Sequence, residues 1–242
     1  MAQLKYRSDV SVAEGAQERL ALSMEDMCRD ILARHQDTIS VRNPSIAVPR
    51  LKRILVAALD LSNSGGFQAM SLRDLSEESG MSTGGLYAYF DSKTTLLRMI
   101  LAQVTHVVET VLTAPPPGIT DDAVAHLQWM IDAHLRLTED LLAWFVFAFM
   151  EAKSFPPAER RLAIESEALT EALFADIIKK GIAKGQFRSE TSELLPALIK
   201  PLLQDWYVKR AKYRRRRISL DAYSATVKSI VLKYCVLNAG DY

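Results

Sequence analysis

Ser82, Thr83, Gly84, Tyr87, Tyr89 and Lys93 fall together in the sequence, and their side chains suit hydrogen bonding to oxygens and ring edges. The Ser82 and Thr83 hydroxyls can hydrogen-bond base edges, and the Thr83 methyl can meet the methyl of thymine. Tyrosine hydroxyls and a lysine ammonium suit phosphate oxygens, while Gly84 lets a backbone come close to a bulky partner. Upstream, Arg50, Lys52 and Arg53 make a basic cluster suited to phosphates or to a minor groove. Ser71 and Arg73 lie between, and Arg73 has the fork needed for a bidentate base contact that the 82–90 segment lacks.

Helices must position these groups. Leu51, Leu55, Ala58 and Leu59 form one apolar stripe, and Gly65-Gly66 ends that helix and lets Phe67 turn back into the core. Ser71 followed by Asp74 predicts a capping-box start for a short helix that turns Leu72 and Leu75 inward and stops at Gly80. Ser82 is the expected cap of a third helix anchored by Leu86 and Phe90, with Thr83, Gly84, Tyr87 and Tyr89 outside or at its edges. A helix that short cannot stand alone. Set by its predecessor through a tight turn, it makes a helix-turn-helix, whose second helix enters the major groove of DNA. Asp91 is expected to cap a fourth helix and Lys93 to lie in its first turn, where the dipole disfavours a cation unless an anion such as a DNA phosphate joins it.

The segment strongly resembles the DNA-binding domain of the TetR family of bacterial regulators. Ala57-Ala58, Gly66-Phe67, Ser71, Leu75, Gly80-Met81-Ser82, Gly85-Leu86-Tyr87, Tyr89-Phe90 and Lys93 stand at that family's signature spacings. The resemblance covers about fifty residues and implies a homodimer on a two-fold-related, palindromic DNA operator. It also implies C-terminal helices that form a small-molecule effector pocket and the dimer interface. Ser71, Ser82, Thr83, Gly84, Tyr87, Tyr89 and Lys93 occupy positions where family members commonly touch DNA. The extension before residue 50 departs from the family pattern; its amphipathic helix, expected over 12–36 with Leu20, Met24, Met27 and Ile31 on one face, could pack on its own subunit, cross the dimer or order on DNA.

Apolar residues recur at three and four rather than two, so the chain reads as all-α: an N-terminal extension (1–49) with a proline-marked linker over 41–49, a helix-turn-helix domain (50–113) and a helical effector and dimerisation domain (114–242). The 242 residues, 49% hydrophobic, suffice for a sizeable core. A formal net charge of +1 says nothing of partners until placement is known, and from Arg50 to Glu109 acidic residues equal basic ones in number. Cys28 and Cys235 match no metal or redox spacing, the N-terminus lacks a signal-peptide pattern, and no apolar run approaches the ~20 residues of a membrane span, so a cytoplasmic protein with no membrane partner is expected.

Behind the proline-rich break at 114–118, with Thr120 as cap, helices are expected over 121–137, 139–153, 157–184, 192–213 and 220–237. The aromatic run 144–150 is core, or Trp144, Phe147 and Met150, with Trp206, line a cavity for a lipophilic effector. The basic run 209–217 is a solvated helix end, or a clamp for a phosphorylated or carboxylated effector such as an acyl-coenzyme A. Leu195, Leu198 and Leu202 with Tyr223, Val227, Ile230, Val231 and Tyr234 are the expected dimer faces. His126 and His134 do not define a metal site, and neither a cofactor nor an enzyme motif is present, so no enzyme is expected. The other function that fits is a helical scaffold that retains the motif but acts through protein partners.

Overall fold

The computed structural model describes residues 23–236, so the part of the expected 12–36 helix before Ser23, Leu20 included, lies outside the described residues. The fold is all-α, and the β feature among the described residues is an isolated bridge, Phe187 to Val236. In chain order the helices are α1 (Met24–Arg34), α2 (Pro44–Gly65), α3 (Leu72–Ser79), α4 (Thr83–Leu86), α5 (Lys93–Leu112), α6 (Ala123–Asp140), α7 (Leu142–Met150), α8 (Pro157–Ala183), α9 (Leu195–Val208), α10 (Arg210–Arg215) and α11 (Leu220–Cys235).

Side-chain caps set most of the boundaries. Ser23 and Asp26 close a capping box on α1, whose Met27, Cys28 and Ile31 bury against α2 and α5. Of the expected linker over 41–49, residues 41–43 are non-helical but 44–49 form the first turn and a half of α2: Asn43 accepts from the Ser45 amide at 3.0 Å and Pro44 starts the helix. A proline at the first position gives up an amide that had no partner anyway, and Pro49 costs only one internal bond near the exposed end. Behind it Leu51, Leu55, Ala58 and Leu59 are buried as the stripe requires.

The C-terminal helices also shift from expectation for local reasons. Asp122, not Thr120, caps α6, accepting from the Val124 amide at 2.8 Å. The expected 139–153 helix shortens to α7, with a 3-10 turn after it. The expected 192–213 helix breaks at Lys209 into α9 and α10. That break lets Arg210 fork onto Glu139 (2.9 and 2.6 Å) while its guanidinium lies 4.5 Å over the Trp206 ring. Gly181 has no room for a side chain, since a Cβ there would stand 2.2 Å from the buried Phe187 ring.

α5 runs from the helix-turn-helix into the C-terminal domain and packs on α6, α7 and α8. It has the length and apolarity of a membrane span, yet Leu96, Met99, Ile100, Val104 and Val107 are buried in the protein core, which accounts for its composition. α11 packs on α6 and α9.

Candidate nucleic-acid interface and ligand cleft

The Ser71 hydroxyl accepts from the Asp74 amide at 3.1 Å and the Asp74 carboxylate accepts from the Ser71 amide at 2.8 Å, so both ends of the expected capping box are made at the start of α3. Gly80 takes the left-handed conformation (φ 63°) that ends α3, and a Cβ there would stand 2.5 Å from Arg53 Nη2. Ser82 then caps α4, accepting from Gly85 N at 3.1 Å. α4 is a single turn, fixed from below by buried Leu86 and Phe90. Ser82, Thr83, Gly84 and Tyr87 remain exposed on its outer side, with Ser71 and Arg73 beside them from α3. Tyr87 is 53% exposed, the most open of the large apolar or aromatic side chains in this unit.

Several groups expected to meet DNA are instead engaged by the protein itself. Tyr89 is fully buried, so its hydroxyl cannot reach a phosphate; Arg50 is the nearby charge, but burial outweighs it and raises the phenol's pKa. The Lys93 ammonium donates to the Gln68 and Met70 carbonyls at 3.0 and 2.6 Å and lies 5.2 Å over the Phe67 ring. Its desolvation lowers its pKa despite Asp74 nearby. Arg53 donates to the carbonyls of Ser79 and Gly80, both at 2.8 Å, and so closes the end of α3. Lys52 pairs with Glu25 of α1 at 3.6 Å. Arg73 makes an exposed pair with Glu77 at 3.1 Å, an interaction worth at most about 1 kcal/mol and easily exchanged for another anion. The cap of α5 is Ser92, which accepts from Thr95 N at 3.1 Å; Asp91 instead accepts from the Thr95 hydroxyl.

Contacts remote in sequence, which no local pattern announces, fix this unit to its surroundings. Ser40 donates through its amide to the Ala88 carbonyl at 2.9 Å, strapping the extension to the turn after α4. The Phe67 amide donates to Glu151 at 2.9 Å, Gln68 to the Ser154 carbonyl at 3.1 Å, and Arg98 to buried Glu159 at 2.7 Å. All three join the DNA-facing unit to the C-terminal domain.

Between α5, α7, α8 and α9 lies a cleft of about 140 Å³ that opens to solvent. Its walls are mostly apolar, with Val104 and Val108 from α5, Phe145 and Phe149 from α7, and Ile164 at the rim. The expected lining residues Trp144, Phe147 and Trp206 are instead fully buried core, and Met150 faces solvent outside it. The aromatic helix does wall the cleft, but with the face a quarter turn away. None of the basic residues 209–217 lines it: Lys209 and Lys212 pair with Asp205 at 2.5 and 3.0 Å, and Arg214, Arg215, Arg216 and Arg217 are exposed elsewhere.

The polar end of the cleft holds a group that sequence reasoning missed. Lys200, 5% exposed, lies 3.1 Å from Nε2 of fully buried His134. Burial pulls the Lys200 pKa down to about 8 in spite of Glu167 and Glu171, and burial together with the Lys200 charge pushes the His134 pKa well down. Among the described residues no cluster of His, Cys, Asp and Glu is arranged to hold a metal ion.

A helix-turn-helix in front of a larger helical domain is the architecture of a DNA-binding protein. Residues 54–100 match the family model described as bacterial regulatory proteins of the tetR family, and residues 120–208 match a tetracyclin repressor-like C-terminal domain. The chain is 31% identical over 148 residues to the uncharacterised regulator YfiR of Bacillus subtilis, covering 57% of this chain and 68% of YfiR. It is 39% identical over 106 residues to the repressor KstR of Rhodococcus jostii, covering 41% of this chain and 49% of KstR. Among solved structures, FadR of Bacillus subtilis in complex with stearoyl-CoA superposes with a TM-score of 0.58 at 17% identity, over 74% of this chain and 96% of that one. The chain belongs to the TetR family of DNA-binding transcriptional regulators.

Two outcomes separate the inward-turned groups from the exposed ones. Lys93→Ala, which leaves two carbonyls unpaired, should cost about 1–3 kcal/mol and lower Tm by roughly 2–10 °C, whereas Tyr87→Ala should leave Tm unchanged; thermal unfolding of both variants decides. Lys200 is protonated in both folded and unfolded chains below pH 8, so the folded state there carries the burial penalty. Between about 8 and 10.5 the folded chain loses that proton first and the penalty fades. Lys200→Met should therefore be more stable than wild type at pH 7, by a margin on the order of 3 kcal/mol at most, and the margin should shrink as pH rises to 10 in urea denaturation.

Proposed function

We propose that this chain is a ligand-responsive repressor that binds a palindromic operator as a cytoplasmic homodimer and releases it when a small lipophilic or acyl-coenzyme A-like effector enters the cleft. One observation carries the reading: α5 and α7, which wall the cleft, also supply or adjoin Lys93 and Glu151, the two side chains that hold the corner leading into α3. A ligand that alters the spacing of α5 and α7 acts on the seat of the DNA-reading unit and shifts the population between two settings of it. The name of KstR as a repressor and the stearoyl-CoA bound to FadR support the repressor and effector parts of the reading.

In this reading Ser82, Thr83, Gly84 and Tyr87 meet the major groove, Ser71, Arg73 and Arg50 contact it or the backbone beside it, and Lys52, Arg53, Tyr89 and Lys93 brace the unit through contacts within the protein. The dimer face narrows from the sequence expectation. Leu195, Val227 and Val231 are core, while Leu194 just before α9, Leu198 of α9, and Ile230 and Tyr234 of α11 stay exposed, and α9 and α11 pack side by side. Joining two copies through α9 and α11 covers these side chains and sets two α4 helices about 34 Å apart, one turn of DNA.

Retention of genomic fragments by the purified protein should enrich one palindromic site. Tyr87→Ala should weaken binding to that site by about tenfold to a hundredfold, the 1.5–3 kcal/mol of a hydrogen bond to a charged group. No enrichment by a folded dimer, with or without extracted small molecules, would give the lead to a protein-binding scaffold. Leu198→Glu with Ile230→Glu should convert a dimer to a folded monomer in light scattering at micromolar concentration; an unchanged mass moves the interface elsewhere.

A further inference from the structure

The cleft's polar end is unusual for the core of a helical domain. The Lys200 ammonium, at 5% exposure, has no carboxylate within ion-pairing distance among the described residues; its one hydrogen bond is to His134 Nε2. An ammonium has no lone pair to offer, so Nε2 accepts and the imidazole is neutral, with its proton on Nδ1, and that Nδ1 is itself buried without a partner. Glu167 and Glu171 of α8 are the acids that face Lys200, but both are half-exposed, and Glu167 is held by the Gln204 amide at 2.6 Å. A buried cation without a paired anion costs a protein several kcal/mol unless something completes it.

We propose that the cleft takes an amphipathic organic acid, its carboxylate seated on Lys200 and its apolar body lying against Val104, Val108, Phe145, Phe149 and Ile164. This rests on the reading of the cleft as the effector site and names the effector's chemical class. An organic cation would meet Lys200 as a like charge. A neutral lipid leaves the ammonium only His134 and the more distant Glu167 and Glu171, and a small inorganic anion makes no use of the apolar walls. A carboxylate satisfies both halves of the cleft at once, with Tyr207 and Gln204 beside it as lining groups that carry hydrogen-bond donors. The enclosed part of the cleft, about 140 Å³, takes the head and first part of such a molecule, and the exposed rim residues Phe149 and Ile164 let the far end of the apolar body reach solvent. Lys200 here is a binding residue that weakens the fold, which is the signature of a group kept for a ligand.

Calorimetric titration of the full-length protein with matched pairs tests this: decanoate against 1-decanol, 1-naphthoate against 1-naphthol, and cyclohexanebutyrate against its alcohol. At least one acid should bind about tenfold or more tightly than its alcohol, the margin of one charge-assisted hydrogen bond. Lys200→Met should abolish that preference while keeping the affinity for the alcohol, which also shows the variant to be folded. Binding of the acid at pH 8.5 should take up a proton, read as a dependence of the heat on the buffer's ionisation enthalpy, because the bound carboxylate holds Lys200 charged. The proposal is overturned if no acid outbinds its alcohol, or if Lys200→Met binds acid and alcohol as wild type does. Adding the bound acid to the operator complex separates the two claims: an acid that binds through Lys200 without releasing DNA leaves the ligand chemistry standing and removes the effector reading.

Discussion

The chain must turn sharply between α2 and α3, and a turn there exposes backbone groups that no helix can pair. Gly66 takes φ 90°, the Phe67 ring goes into the core, and the Phe67 amide and the Gln68 and Met70 carbonyls are left over. Buried or half-buried amides and carbonyls are costly unless bonded. Glu151, at the end of α7, takes the amide, and Lys93, at the start of α5, takes both carbonyls. The Phe67 ring meets Phe147 edge to face and Phe147 meets Phe155 at a tilt, with centroids 5.6 and 5.5 Å apart. The seat of the helix-turn-helix is thus built from three separate parts of the chain, two of which also bound the cleft.

That constraint explains where the positive charge goes. A unit with equal numbers of acidic and basic residues cannot bind DNA by its net field. Much of its cation content is spent on backbone carbonyls or on α1, through Lys93, Arg53 and Lys52. What faces outward is a small set of hydroxyls, one glycine backbone, Arg50 and Arg73, beside the exposed but carbonyl-bound Arg53. Recognition by such a surface depends on rigid presentation, and rigidity comes from the groups turned inward. The strap from Ser40 to Ala88 and the packing of α1 on α2 and α5 draw the N-terminal extension into the same scheme.

Local signals were legible in the sequence because their causes are local. The capping box of Ser71 and Asp74, the cap at Ser82, the left-handed stop at Gly80 and the buried stripe of α2 each depend on residues within a turn of one another, and each stands where the pattern puts it. Pro49 misleads because proline weakens a helix without forbidding it near the first turn, where Asn43 and Pro44 supply a strong start. The aromatic run revealed a buried helix but not its orientation, since a helix apolar all round gives no phase; hence Phe145 and Phe149, rather than Trp144 and Phe147, wall the cleft. Lys93, Tyr89 and Arg53 stand in the motif, yet their partners are remote carbonyls or core, and no spacing rule announces those. Lys200 and His134 meet across 66 positions of chain from two different helices, so their pairing is visible only after folding.

The central claim is that one corner, residues 66–70, couples the DNA-reading unit to the cleft through Glu151 and Lys93. Hydrogen exchange at the Phe67 amide, in wild type and in Glu151→Ala, tests it most directly. Strong protection is expected in wild type, and in the variant rapid exchange at Phe67 that spreads to α3 while the middle of α2 stays protected. Equal protection of Phe67 in both proteins would contradict it, because the corner would then be held by something other than the bond to Glu151.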